Sequence, residues 1–265
     1  MNILVCVKQV PGTTKVNINP QTNTLMRQGI ENIINPFDSY ALEEGVRLKE
    51  RYGGKVTVLS MGPPQAEAIL REAISCGADE AILIGDAAFA GSDTLATSYT
   101  LSQAIKKIKD YDLIICGRQT IDGDTAQVGP ETAEMLGIAF VSYVSKVEEI
   151  SPSAEGAKMR VQRLIEEGHE IIEAPLPALI TVVKEINVPR LPSLRGKTKA
   201  KSAVITNWNA QALDADPDRL GLTGSPTKVV KIFSPQRTST GEMLQGSPEE
   251  QIARLISKLK DSHLI

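Results

Sequence analysis

The chain has 265 residues, with 29 Lys and Arg against 32 Asp and Glu, a net charge of −3 and 42% hydrophobic residues. That balance, with only 4% aromatics, argues against nucleic acid as the main partner, which needs basic patches and stacking rings. No apolar run approaches the roughly eighteen residues of a membrane span, and Met1–Val5 carries no basic leader region, so a cytoplasmic location is expected.

The first half alternates strand and helix. Asn2–Lys8 is an apolar strand, and Lys15–Arg27 alternates around a turn at Asn19–Asn23, the pattern of a hairpin. Asp38–Arg51 is a predicted helix whose apolar face is Ala41, Leu42, Gly45, Val46 and Leu48. Gly54–Ser60 is a strand, Pro64–Cys76 a helix closed by Gly77, and Glu80–Ile84 a strand. Asp93–Lys109 is a helix, and Asp112–Cys116 is a strand leading into the polar run Gly117–Glu131, GRQTIDGDTAQVGPE, before a helix ending at Gly137. This rhythm predicts right-handed crossovers and a mainly parallel, doubly wound α/β sheet. Val141–Ile150, Lys158–Leu164 and Glu170–Ile172 then read as an added antiparallel portion, followed by a buried strand at Ala178–Val183. Beyond Lys184 periodicity is lost, until Ser247-Pro248-Glu249-Glu250 opens a helix with the stripe Ile252, Leu255, Ile256 and Leu259. That lone helix, after some sixty irregular residues, is expected either to dock on a partner or to fold back onto its own domain.

The chemistry-bearing residues gather at what would be the carboxyl edge of the sheet. Val7–Pro11 follows the first strand, and Asn35-Pro36-Phe37-Asp38 enters the first helix, with Asn35 held extended by the proline and Asp38 at a predicted N-cap. Thr94 and Thr97 stand one turn apart at a helix N-terminus, an arrangement suited to phosphate oxygens. The fourth segment is the polar run itself, which follows a strand and opens a helix as phosphate-binding loops do. In it Asp122 and Asp124 would repel bare phosphate and suit ribose hydroxyls or capping of backbone N–H groups. Gly123 allows close approach or a positive φ, and Gln127, Val128 and Gly129 can offer N–H groups. These features predict a nucleotide without saying which.

Other chemistries find no support. The sequence lacks a GxxxxGK[ST] or GxGxxG motif and any nucleophile elbow. Cys6, Cys76 and Cys116 read as buried small hydrophobes. The only histidines, His169 and His263, lack metal-ligand spacing. No side chain is assigned a catalytic role and no metal is expected, so redox chemistry here would be a cofactor's.

Over essentially its whole length the chain resembles the beta subunit of electron-transfer flavoproteins. The resemblance is carried by ILVCVKQVP (3–11), NPFDSYALEEGVRLKE (35–50), GRQTIDGDTAQVGPE, VPRLPSLRGKTKAK (188–201) and SPQRTSTG (234–241). It implies pairing with a larger alpha subunit that holds an FAD. It also implies a nucleotide on this chain: FAD reduced by NADH in the electron-bifurcating branch, or structural AMP in the conventional one. AFAGSDTLATSYTL (88–101) and VGPE (128–131) look like the bifurcating type, in which electrons divide between ferredoxin or flavodoxin and the alpha-subunit FAD. Family nucleotide contacts carry over to Cys6, Asn35, Pro36, Phe37, Asp38, Thr94, Thr97, Asp122, Gly123, Asp124, Thr125, Gln127, Val128 and Gly129. Leu191 matches the recognition-loop leucine that docks on partner dehydrogenases acting on acyl-CoA, enoyl-CoA or lactate, with Arg190 and Arg195 as a basic rim. The implied organisation is a nucleotide-binding domain over 1–184, a partner-recognition loop over 185–205, and a C-terminal arm over 206–265. The competing class, a stand-alone ATP-hydrolysing α/β enzyme, is disfavoured by the missing Walker loop.

Overall fold

The computed structural model describes residues 1–12, 31–153, 156–230 and 241–265, together with the strand pair at 17–18 and 25–26. In chain order the elements begin with β1 (Asn2–Cys6), β2 (Gln9–Pro11), β3 (Asn17–Ile18), β4 (Leu25–Met26), β5 (Asn32–Ile34), α1 (Pro36–Tyr52) and β6 (Lys55–Met61). They continue with α2 (Glu67–Ser75), β7 (Glu80–Ile84), α3 (Thr94–Ile108), β8 (Leu113–Gly117), α4 (Val128–Leu136), β9 (Ala139–Ser153) and β10 (Gly156–Ile165). Last come β11 (Gly168–Pro175), β12 (Ala178–Val182), α5 (Leu194–Ser202), β13 (Thr206–Trp208) and α6 (Pro248–Asp261).

One nine-stranded sheet dominates, in the order β11-β10-β9-β12-β8-β1-β6-β7-β13. From β9 through to β13 every neighbouring pair is parallel, and β10 and β11 add the antiparallel portion. Alternation along the strands divides the core. Ile3 and Val5 pack with Ala41, Leu42, Val46, Ile69 and Leu70 of α1 and α2, whereas Leu4 packs with Tyr99, Leu101 and Ile105 of α3 and Ala133 of α4. With helices on both faces, the central strands are buried throughout: β12 is buried at every residue, and Leu113, Ile114, Ile115 and Cys116 of β8 are all buried. Their almost entirely apolar runs, broken only by Thr181, reflect this two-sided cover.

The chain steps outward from β1 to β6 and β7, and then α3 carries it back to place β8 on the other side of β1. The strand order therefore reverses between β1 and β8. Loops leaving their carboxyl ends diverge there and leave a crevice, the usual ligand position in open α/β sheets. Cys6 of β1 and Cys116 of β8 are the last register partners at that edge.

Three features differ from the sequence pattern. α1 begins at Pro36, with Asn35 rather than Asp38 as the N-cap, because proline is favoured in the first helical turn. Residues 194–202, which show no periodicity, form α5. Its Ala200 is buried against α2, and Arg71 donates to the carbonyls of Ala200 and Ala203 at 2.5 and 3.2 Å. Strand β13 extends the sheet edge beside β7. In the predicted hairpin, β3 pairs antiparallel with β4, and the rest of Lys15–Arg27 lies outside the described residues.

After β13 the chain is strapped to α3. The Asp216 N–H donates to the Tyr99 hydroxyl at 2.9 Å, the Arg219 guanidinium lies 3.9 Å from the Tyr99 ring centre, and Thr227 donates to Asp93. Residues 1–230 form one compact unit and 231–265 a second. In the second, α6 starts with the predicted capping box, formed by Ser247 and Glu250, and Pro248 is its first residue. Ile252, Leu255 and Ile256 are exposed. Among the described residues no helix is long and apolar enough to cross a membrane.

Candidate functional site

The four predicted segments meet at the carboxyl edge, joined by side chains whose roles are mostly structural. Asn35 is fully buried. Its backbone N–H donates to the Lys8 carbonyl at 2.9 Å, its Nδ2 donates to the Gln119 carbonyl at 2.9 Å, and its Oδ1 accepts from the Ile121 N–H at 3.2 Å. The amide thus fastens the polar loop to the entry of α1. Pro36 is exposed at the first position of α1, and Phe37 is half-buried beside it.

Asp38, in the first turn, is buried and accepts the Lys8 N–H at 2.7 Å. Burial dominates its titration and pushes its pKa up to about 7, against opposing hydrogen bonds from the Asn35 side chain and the Lys8 and Gly117 backbone. The carboxyl therefore bridges the ends of β1 and β8 across the point where strand order reverses. Beside it in register, Cys6 and burial together hold the Cys116 thiol well above its usual pKa. Such a thiol is neutral and poorly nucleophilic.

Lys8 reaches from the end of β1 to the loop, its ammonium 2.7 Å from Asp122. Desolvation raises the Asp122 pKa, but hydrogen bonding to Lys8 and its positive charge outweigh this and hold the carboxylate below its ordinary range. Asp124 accepts from the Gln119 amide, and its own N–H closes a turn on the Thr120 carbonyl at 2.9 Å. Both carboxylates thus act first as internal clasps of the loop. The positive φ expected at Gly123 falls instead on Asp124 (54°) and Ala126 (56°). Aspartate tolerates that conformation, and at Ala126 it costs about 1–2 kcal/mol. Gly123 and Thr125 are exposed. Gly129 is buried, and a Cβ there would lie 2.6 Å from Thr181 of β12, so close helix–strand packing explains this glycine.

The N-termini of α3 and α4 meet at the same edge. Asp93 caps α3 by accepting the Ala96 N–H at 3.1 Å, and Gln127 occupies the N-cap of α4 beside Val128. Thr94 donates toward Gln127 (3.2 Å) and Glu131 (3.1 Å), and Ser98 donates to the other Glu131 oxygen at 2.9 Å. Thr97, one turn beyond Thr94, is half-buried. Glu131 is thus a coupling residue that spacing alone does not reveal, since its partners lie on another helix. Glu131→Ala should lower stability by roughly 1 kcal/mol, read as a shifted urea midpoint at constant slope. Glu131→Gln, which keeps an acceptor, should lose less than half of that.

The loop also carries Arg118. Its guanidinium lies over the rings of Phe37 and Tyr143, 5.3 and 5.4 Å from their centres, and its Nε donates to the Gln119 side chain at 2.6 Å.

Away from this edge, Leu191 is 87% exposed. Arg190 uses its guanidinium on Glu50 (2.6 Å) and Glu43 (2.8 Å) of α1. These two carboxylates raise its pKa further. Arg190 is therefore the tether that holds the segment against α1 and leaves Leu191 outside, while Arg195 is exposed.

A model of the electron transfer flavoprotein domain matches residues 22–213. The chain belongs to the electron transfer flavoprotein family. It is 52% identical over 266 residues to an electron transfer flavoprotein subunit beta of Thermoanaerobacterium thermosaccharolyticum, covering 100% of both chains. It is 47% identical over 267 residues to the caffeyl-CoA reductase–Etf complex subunit CarD of Acetobacterium woodii, again covering 100% of both. It is 44% identical over 271 residues to the protein FixA of Azotobacter vinelandii, covering 99% of this chain and 96% of that one. Membership brings the beta-subunit role in electron transfer, an alpha subunit as counterpart, and binding of a flavin- or AMP-type nucleotide.

Proposed function

We propose that the crevice between β1 and β8 holds FAD, and that this beta subunit takes electrons from NADH and divides them. One would go to ferredoxin or flavodoxin. The other would go through the alpha-subunit FAD to a dehydrogenase-type flavoprotein acting on an acyl-CoA, an enoyl-CoA or lactate. The observation that carries the reading is the hydrogen-bonded meeting of the α3 and α4 N-termini through Thr94, Gln127 and Glu131. Two converging helix N-termini suit two linked phosphates, whereas AMP has one. The names of two relatives, a subunit of a caffeyl-CoA reductase–Etf complex and a FixA protein, are in keeping with a partner that reduces a CoA thioester and with the bifurcating branch.

Bound FAD would supply hydride acceptance and one-electron transfer. The chain's own residues would bind and orient it. Thr94 and Thr97 would face phosphate oxygens together with N–H groups of Gln127, Val128 and Gly129. Asp122, Gly123, Asp124 and Thr125 would lie along the ribose, and Cys6 with residues 35–38 would form the crevice floor. We assign residues 1–184 to nucleotide binding and 185–205 to partner recognition, with Leu191 as the apolar anchor. Residues 206–265 form the arm toward the alpha subunit, of which 206–230 also cover α3. The assembled heterodimer, with nucleotides extracted and counted, should contain two FAD and bleach on adding NADH. One FAD with one AMP would overturn the proposal.

A further inference from the structure

The geometry points to Arg118 as the residue that stabilises the negative charge of the reduced flavin ring on this subunit, an inference that rests on the FAD reading above. Arg118 is the first residue after β8, at the crevice where strand order reverses. It lies over the rings of both Phe37 and Tyr143, and its Nε is taken by Gln119. Among the described residues its Nη groups make no hydrogen bond or ion pair, which leaves them to meet a ligand.

The charge is also uncompensated. Lys8, the other cation here, is paired with Asp122, whereas among the described residues no carboxylate forms an ion pair with Arg118. A half-buried guanidinium held over two rings, with its Nη donors free, is organised for an anion presenting two coplanar acceptors.

The protein accepts strain to keep this arrangement. Tyr143 has φ of 59°, at an irregularity where the pairing of β9 with β12 shifts between Ile180 and Val182. Its N–H donates to the Thr181 hydroxyl at 3.3 Å. An aromatic residue rarely adopts the left-handed region, and here that conformation accompanies a ring beneath the Arg118 guanidinium.

The charge balance identifies the anion. On the FAD reading, hydride taken from NADH would leave NAD+ and give a reduced ring with one net negative charge where the oxidised ring is neutral. That charge spreads over a planar nitrogen and its neighbouring carbonyl oxygen, two coplanar acceptors of the kind the Nη pair can meet. The FAD diphosphate is charged in both redox states, so it gives the arginine no preference between them. Redox dependence is therefore the discriminating readout.

The test uses the heterodimer with Arg118→Gln and Arg118→Lys, measuring flavin content, affinity for oxidised and reduced FAD, and midpoint potential. R118Q should keep two FAD per heterodimer and destabilise the reduced form at least tenfold relative to the oxidised form. That corresponds to a fall of about 30 mV for a two-electron couple. R118K, which keeps the charge without the fork, should move the potential less in the same direction, and it serves as the test if R118Q does not assemble. An unchanged potential with FAD retained overturns the role of Arg118, as does an equal loss of affinity for both redox states, which would assign it to the diphosphate. A wild-type complex carrying AMP instead overturns the FAD reading itself, before any variant is compared.

Discussion

Gly117→Ala should be the most damaging single substitution at the edge of the sheet. A Cβ built there would stand 2.3 Å from Oδ1 of Asp38, 2.7 Å from the Phe37 carbonyl carbon and 2.8 Å from the Asp38 nitrogen. Two of these three atoms are backbone, and Asp38 is itself fixed by the Lys8 N–H at 2.7 Å, so little can yield. The backbone of Gly117 is not in the left-handed region, and the penalty is therefore spatial. Overpacking against fixed atoms costs about 1–3 kcal/mol and occasionally more, and we expect about 3. Relief requires α1 to move away from β8, which would widen the crevice and pull Phe37 from Arg118. The variant should show a lower urea midpoint at unchanged slope, together with at least a tenfold loss of bound nucleotide. Wild-type stability and nucleotide content would refute this account.

Much of the scaffold is legible from residue pattern. The runs Leu113–Cys116 and Ala178–Val182 are buried at every position and apolar at all but Thr181, because helices cover both faces of those strands. The loops at the edge stand out because Asn35-Pro36 and GRQTIDGDTAQVGPE hold more polar groups than a connection needs. What pattern cannot reveal is where those groups turn. Asn35 and Asp122 could equally have faced a ligand, yet they are engaged by the Gln119–Ile121 backbone and by Lys8. Those partners come from other segments of the chain, so no local spacing encodes them.

The same reason explains α5, β13 and Arg118. α5 buries only Ala200, too little for a periodic signature, and is held by Arg71 and by Lys199, which donates to the Ala78 carbonyl at 3.0 Å. β13 is three residues long, and its assignment rests on pairing with β7. Arg118 looks like one more loop cation until its guanidinium is seen over the rings of Phe37 and Tyr143.

The stability of the chain should depend on pH through Asp38, in the direction opposite to that of an ion-paired carboxylate. Its pKa rises from 3.8 to about 7 on folding because burial outweighs the hydrogen bonds it accepts. Between those values the folded chain holds a proton that the unfolded chain releases, so stability falls as pH rises from about 4 to about 7 and is constant above. Three units correspond to roughly 4 kcal/mol as an order of magnitude. Asp38→Asn has no charge to bury and keeps one acceptor for the Lys8 N–H, with an NH2 group of two donors in place of the acid's single O–H. Urea unfolding of the nucleotide-free chain should give wild type and Asp38→Asn similar stabilities near pH 4. The variant should be several kcal/mol more stable at pH 8. Parallel curves across that range would show that the carboxylate is well solvated or compensated in the folded state. Divergence would mean that the chain keeps, at the point where β1 and β8 part, a carboxyl that weakens its own fold. Such a cost is expected where a group serves binding or electron transfer rather than stability.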